Sequence, residues 1–97
     1  MANTVAMIER ALRFPPDPSD HAILSFGEGE FHPDLQALIT NETPDAGCGL
    51  VLFSHPRFRV EARLRVQIGT RVPVHARVVW VKELPQGLCQ AGVQYLR

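Results

Sequence analysis

The chain has 97 residues, of which 45% are hydrophobic and 21% charged, and its formal net charge at pH 7 is zero. A chain of this length folds as one small domain, and zero net charge excludes a general attraction to DNA, RNA or anionic membranes. The sequence has no run of 18 apolar residues and no charged-then-apolar leader, so we expect a cytoplasmic protein without membrane insertion. Cys48 and Cys89 lack CxxC spacing and are predicted to be reduced thiols.

The first 20 residues differ in pattern from the rest of the chain. Apolar residues recur at helical spacing within positions 1–13, and three prolines follow between Pro15 and Pro18. Prolines fix the backbone and remove hydrogen-bond donors, so a helix cannot continue through them. We therefore predict a short, flexible N-terminal segment with a proline-rich linker at 1–20, followed by one domain at 21–97.

From His21 onward, apolar residues recur at every second position rather than at helical spacing. Such alternation places one set of side chains in a core and the other in solvent, as in a half-buried strand. It predicts strands at 21–26, 31–40 and 50–53, separated by turns at 27–30 and 41–49.

The longest alternation covers positions 57–68, where every even-numbered residue is apolar and every odd-numbered one is polar or charged. This pattern predicts one unbroken strand whose even-numbered residues, Val60 included, face the core. Four arginines lie on the opposite side and form a basic stripe: Arg57, Arg59, Arg63 and Arg65. We interpret the stripe as solvated strand surface, with a docking or phosphate-contacting surface as the alternative.

The remaining sequence predicts a hairpin and a closing strand. A turn at 69–71 leads into a returning strand at 72–81, which carries Trp80 on its core-facing side, and a turn at 85–87 leads into a last strand at 88–96. About six short strands joined by turns predict an all-β protein, a small six-stranded antiparallel barrel without a C-terminal helix. Closure into a barrel removes the exposed edges of an open sheet.

The sequence gives no positive signal for catalysis or for a metal centre. The four histidines lack the close spacings of zinc sites, and no nucleophile elbow surrounds Ser25 or Ser54. A small barrel filled by its own side chains offers no cleft for a reaction. We therefore expect that the protein is not an enzyme and needs no metal or cofactor.

Three segments suggest a family. Positions 41–47 read Asn-Glu-Thr-Pro-Asp-Ala-Gly, positions 76–80 read Ala-Arg-Val-Val-Trp, and positions 85–96 contain Gly-Val-Gln-Tyr before the final leucine. In this order they resemble the Asp/Asn-x-Ser-x-x-Gly turn, the small-x-Val-x-Trp strand and the closing strand of the PilZ family. The resemblance implies a six-stranded barrel that binds cyclic di-GMP on its outer face.

The resemblance also implies which residues bind the ligand. Arg10 and Arg13 are similar to the family's RxxxR segment, with a spacing of three instead of four. Asn41, Thr43 and Gly47 match the turn, with threonine for serine and one extra residue before the glycine. Arginine can bind phosphate through two N–H groups or stack on a base, asparagine can read a guanine edge, a hydroxyl can donate to the ligand, and glycine admits a close backbone approach.

Two functions follow from this resemblance. The first is a cyclic di-GMP receptor, monomeric or weakly dimeric, whose N-terminal segment switches on ligand binding and relays the signal to a protein partner. The second is a degenerate PilZ-like adaptor that binds proteins only. A nucleic-acid-binding barrel is disfavoured because the net charge is zero and few aromatic residues interleave with basic ones.

Overall fold

A computed structural model of the protein describes residues 20–96, and the predictions for positions 1–19, including Arg10 and Arg13, lie outside this range. The described chain is an all-β, closed antiparallel barrel of six strands, which confirms the predicted fold class. The strands in chain order are β1 (His21–Ser25), β2 (Leu35–Thr43), β3 (Gly47–Phe53), β4 (Arg63–Ile68), β5 (Val74–Glu83) and β6 (Leu88–Tyr95).

Around the barrel the strands follow the order β1-β2-β3-β6-β5-β4, and β4 returns to pair with β1. The closing pair is antiparallel, with Ala22 opposite Ile68 and Ser25 opposite Arg65. Every strand therefore has a neighbour on both sides along part of its length, which removes most of the open edge through which sheets associate. No helix in residues 20–96 is long and apolar enough to cross a membrane.

The core lies inside the barrel and is formed by alternate residues of all six strands. Because strand side chains alternate in direction, each strand contributes a row of apolar residues to the interior. Its largest fully buried apolar side chains are Leu24, Leu50, Leu52, Val66 and Val78. The interior is thus filled by side chains, so that a ligand would bind on the outer surface.

The predicted unbroken strand at 57–68 is wrong in its first half, because β4 begins only at Arg63. Glu61 adopts a left-handed conformation with φ of 76°. The Glu61 N–H donates to the Val78 carbonyl, and the Val78 N–H donates to the carbonyl of the next residue, Ala62. This irregularity bends the chain away from the ladder, as a β-bulge does. Phe58 remains buried at 4% exposure, whereas Val60, predicted to be buried, is 49% exposed.

The predicted long turn at 41–49 is also wrong, since only residues 44–46 form the turn. Strand β2 continues to Thr43 and β3 starts at Gly47, so these two residues pair directly. The Ala46 N–H donates to the Thr43 carbonyl at 2.8 Å and closes the turn. At its other end, β2 begins at Leu35, later than the predicted start at position 31.

Trp80 was predicted on the core-facing side of its strand, but it lies on the outer face with 44% of its surface exposed. The register of β5 against β6 shifts between Val78 and Trp80, so that Val79 is an extra residue in the ladder. An extra residue reverses the facing of every side chain that follows it. Val78 therefore points into the core, whereas Trp80 points away from it.

The basic stripe does not form one solvated strand face. Arg57 and Arg59 lie in the loop before β4, and Arg65 is half-buried. The Arg65 guanidinium donates to the carbonyls of Gly27 and Gly29 at 2.8 and 2.7 Å. This side chain therefore fastens the β1–β2 connection to β4.

Candidate ligand-binding groove on the outer face

A groove of about 290 Å³ opens on the outer face of the barrel where the β2–β3 hairpin lies beside β6 and β5. Asn41, Thr43 and Gly47, the three described residues that the sequence analysis assigned to ligand binding, all line it. Trp80 and Gly92 line the groove from the other side. We call this feature the ligand groove.

Asn41 is held in place by its own hairpin. Its side-chain Oδ1 accepts a hydrogen bond from the Gly49 N–H at 2.9 Å, beside a register shift between Ile39 and Asn41. Since a backbone N–H can only donate, this bond fixes which end of the amide is oxygen. No described residue accepts a hydrogen bond from the Asn41 Nδ2 group, whose two donors are therefore available to a ligand.

Three glycines keep the floor of the ligand groove at backbone level. A Cβ on Gly47 would collide with the Val93 carbonyl oxygen, and a Cβ on Gly92 would collide with the indole Nε1 of Trp80. At Gly49 a Cβ would collide with the Asn41 side-chain oxygen. Glycine within a strand often marks such a close approach. Of the three, only Gly47 was expected from the resemblance to bind the ligand, although Gly92 belongs to the quoted closing-strand motif.

Trp80, for which the sequence favoured a core position over a stacking platform, provides the aromatic wall of the groove. Its ring packs on Gly92 and lines the groove with 44% of its surface exposed. Planar bases stack on exposed aromatic rings, and such stacking tolerates any base. The sequence signal was the pairing of a tryptophan with a strand glycine, but the register shift at Val79 that brings them together is not visible in the alternation.

The ligand groove itself carries no charge, because none of the described residues that line it is ionisable at neutral pH. Gln94, which lines the groove, accepts from Arg77 Nη2 at 2.8 Å, and the same guanidinium forms an ion pair with Glu61 at 2.8 Å. The groove therefore offers an aromatic face and neutral donors. An anionic ligand would need cationic groups from outside it.

A polar network supports the hairpin at one end of the barrel. Glu42 accepts from Arg71 Nη2 at 2.9 Å and from the Tyr95 hydroxyl at 2.7 Å. Burial alone would raise the pKa of the Glu42 carboxyl, but the hydrogen bonds from Arg71 and Tyr95 outweigh it and lower the pKa. Burial, with the hydrogen bond to Glu42, raises the pKa of Tyr95 far above its usual range. The network joins β2, β6 and the β4–β5 turn.

Comparison with known proteins adds no assignment: no family model, no curated protein and no solved structure matches this chain. Within residues 20–96 there is also no group of three or more His, Cys, Asp or Glu side chains that could hold a metal ion.

Proposed function

We propose that the protein is a PilZ-like receptor that binds cyclic di-GMP and relays its binding to a protein partner. One observation carries the proposal: Asn41, Thr43 and Gly47, assigned from the sequence pattern, line the same groove as the exposed ring of Trp80. Hydrogen-bond donors, a close backbone approach and a stacking face are the features that a guanine nucleotide requires.

In this proposal each residue has a separate role. A guanine base stacks on Trp80, and the free Nδ2 donors of Asn41 bind acceptors on the guanine edge. Thr43 donates to the ligand, and Gly47 admits it close to the backbone. Arg10 and Arg13 bind the phosphates, which the uncharged groove cannot neutralise. Closure of the N-terminal segment over the ligand changes the surface that the partner contacts.

Isothermal titration with cyclic di-GMP tests the proposal directly. Asn41→Ala, Arg10→Ala and Arg13→Ala should each weaken binding roughly 10- to 150-fold, since a charge-assisted or buried hydrogen bond contributes about 1.5–3 kcal/mol. Arg63→Ala is the matched control, because Arg63 is exposed and does not line the ligand groove. An equal loss in the control, or full affinity in all three variants, would contradict the residue assignments.

The adaptor remains the second candidate, and two observations favour it: the shortened spacing of Arg10 and Arg13, and the absence of charge among the described lining residues. If the wild-type protein gives no heat with cyclic di-GMP, one residue should be inserted between the arginines and Thr43 changed to Ser. The extra residue of the turn should not be removed by deleting Ala46, because the Ala46 carbonyl accepts from the Tyr95 N–H at 2.8 Å. Binding gained by this variant would support a silenced receptor, and continued silence in a folded variant would favour the adaptor.

A further inference from the structure

A second groove, of about 310 Å³, lies on another part of the barrel, where the loop before β4 passes the end of β1. Its lining combines three arginines with three apolar residues: Arg57, Arg59, Arg63, Phe26, Pro56 and Ala62. None of these residues lines the ligand groove. We call this second feature the arginine groove.

The three arginines of this groove differ from the other arginines of the described chain. Arg65 donates to backbone carbonyls, Arg71 pairs with Glu42, and Arg77 pairs with Glu61. By contrast, Arg57, Arg59 and Arg63 are exposed, and within residues 20–96 no carboxylate pairs with any of them. Glu28 lies beside Arg63 and the Asp34 carboxylate accepts from the Phe26 N–H, but neither forms an ion pair with these arginines, so three like charges converge on one groove and would attract an anionic ligand.

The loop is built so that its own carboxylate cannot neutralise the groove. Glu61 is the one acidic residue between Pro56 and Ala62, and its side chain pairs with Arg77 at 2.8 Å. It does so from the left-handed conformation with φ of 76°, which a residue with a Cβ rarely adopts. Strain of this kind, when it persists in a surface loop, commonly accompanies a functional constraint.

The groove is also held rigidly. Phe58, buried between the two loop arginines, anchors the loop in the core, and its N–H donates to the His55 carbonyl at 2.9 Å. The Phe26 ring stacks on His55 with centroids 5.4 Å apart, and the Arg57 guanidinium lies 4.7 Å above the same ring. A guanidinium stacked on a ring keeps its N–H groups in the plane, where they can bind a carboxylate.

The pairing of β1 with β4 stops short of this groove. The pairing of β1 with β4 ends at Ser25 and Arg65, whereas β5 pairs with β4 as far as Arg63. Arg63 and Leu64 therefore have no partner residue in β1. A peptide in extended conformation can align with such an unpaired strand end.

From these observations we propose that the arginine groove binds an extended acidic segment of a protein partner. Carboxylates of the segment bind Arg57, Arg59 and Arg63, while its apolar residues contact Phe26, Pro56 and the exposed Val60. A polyanion such as nucleic acid fits less well, because its sugar-phosphate backbone would leave the apolar part of the lining, Phe26, Pro56 and Ala62, without apolar contacts. The inference does not depend on cyclic di-GMP binding.

The experiment is an NMR titration of the full chain, without nucleotide, with a short peptide of alternating glutamate and valine. The same peptide with glutamine for glutamate is the control probe, and a single-stranded oligonucleotide and inorganic phosphate are the competing anions. We expect shifts at the guanidinium signals of Arg57, Arg59 and Arg63 with the glutamate peptide, and none with the glutamine peptide. No shift at millimolar glutamate peptide, or stronger binding of the oligonucleotide or phosphate, would overturn the proposal.

Matched single substitutions separate a site from general charge attraction. Arg59→Gln and Lys82→Gln each remove one positive charge from an exposed residue, but only Arg59 lies in the arginine groove. Arg59→Gln should weaken the glutamate peptide about 3- to 10-fold, and Lys82→Gln less than about twofold, as expected for a local ion pair at a surface. Equal losses in the two variants would show that the peptide responds to net charge and would refute a groove-specific site.

Discussion

Glu42 is the residue through which three parts of the barrel are held together. It belongs to β2, yet it binds Tyr95 of β6 and Arg71 in the turn before β5. The Glu42 side chain is 19% exposed and that of Arg71 is 53% exposed, so solvent screens part of the ion pair. The hydrogen bond from Tyr95 is the better shielded of the two contacts.

The lowered pKa of Glu42 predicts how stability depends on pH. A carboxyl whose pKa is lower in the folded state stabilises the fold above its unfolded pKa, and this contribution is lost as pH falls through the folded pKa. Glu42→Gln should therefore lower the free energy of unfolding by about 1–2 kcal/mol near pH 7, and the difference should shrink below about pH 4. Urea denaturation at several pH values measures it.

The control for this prediction is Glu30→Gln, because the exposed Glu30 carboxylate has no hydrogen-bond partner among residues 20–96. Its unfolding free energy should match that of the wild type across the same pH range. If the Glu42→Gln deficit stays constant from neutral to acidic pH, the loss comes from packing rather than from the ionised carboxylate.

At the scale of single residues, the PilZ resemblance named three of the residues that line the ligand groove, Asn41, Thr43 and Gly47. They lie within one hairpin, so a short motif in the sequence is enough to bring them together, and their role in binding stays a prediction. Trp80 and Gly92 lie on β5 and β6, and they are opposite each other only because Val79 is an extra residue in β5. Alternation alone cannot reveal such an insertion, because both facings of a strand are compatible with valine.

At the scale of elements, the loop before β4 is the clearest departure from a regular hairpin. Glu61 carries a side chain in a conformation that glycine adopts without cost. Glu61→Gly and Glu61→Ala both remove the ion pair with Arg77, so that they differ only in the Cβ. Glu61→Gly should be more stable than Glu61→Ala by about 1–2 kcal/mol, measured by urea denaturation.

The opposite order would mean that the chain does not keep a left-handed residue at position 61 in solution. Comparing the stability of Glu61→Gly with that of the wild type measures what the ion pair with Arg77 contributes. The Glu61 side chain is 68% exposed, so its ion pair should contribute little, and Glu61→Gly should unfold no earlier than the wild type. A large loss in the glycine variant would show that the ion pair with Arg77 matters more than its exposure suggests.

Element boundaries were predictable where local pattern and tertiary structure agree. The alternation of Leu64, Val66 and Ile68 correctly predicted buried residues in a strand, but it continued unchanged through Val60, which the bend at Glu61 exposes. The opposite error occurred at positions 47 and 49, where glycines favoured a long turn although both pair with β2 in the β2–β3 ladder. Their place there is explained by close approach of Val93 and Asn41, a tertiary contact that the local sequence does not contain.

At the scale of the whole molecule, closure of the barrel determines where anything can bind. Its interior is filled by apolar side chains, and every strand has two neighbours, so binding is confined to the outer face and the connecting loops. The ligand groove lies on β2, β3, β5 and β6, while the arginine groove lies on β4 and the segments that precede it and follow β1. The two share no residue, and Asn41→Ala and Arg59→Gln should therefore act on separate ligands.

The position of Trp80 gives the protein an optical reporter of its own. It is the single tryptophan of the chain, it is 44% exposed, and it forms a wall of the ligand groove. A nucleobase stacked on the indole would displace water from it and quench its emission, whereas an acidic peptide in the arginine groove would leave the spectrum unchanged. Emission measured on the unlabelled protein should thus fall on addition of cyclic di-GMP, and an unaltered spectrum under saturating nucleotide would mean that the base does not stack on this ring.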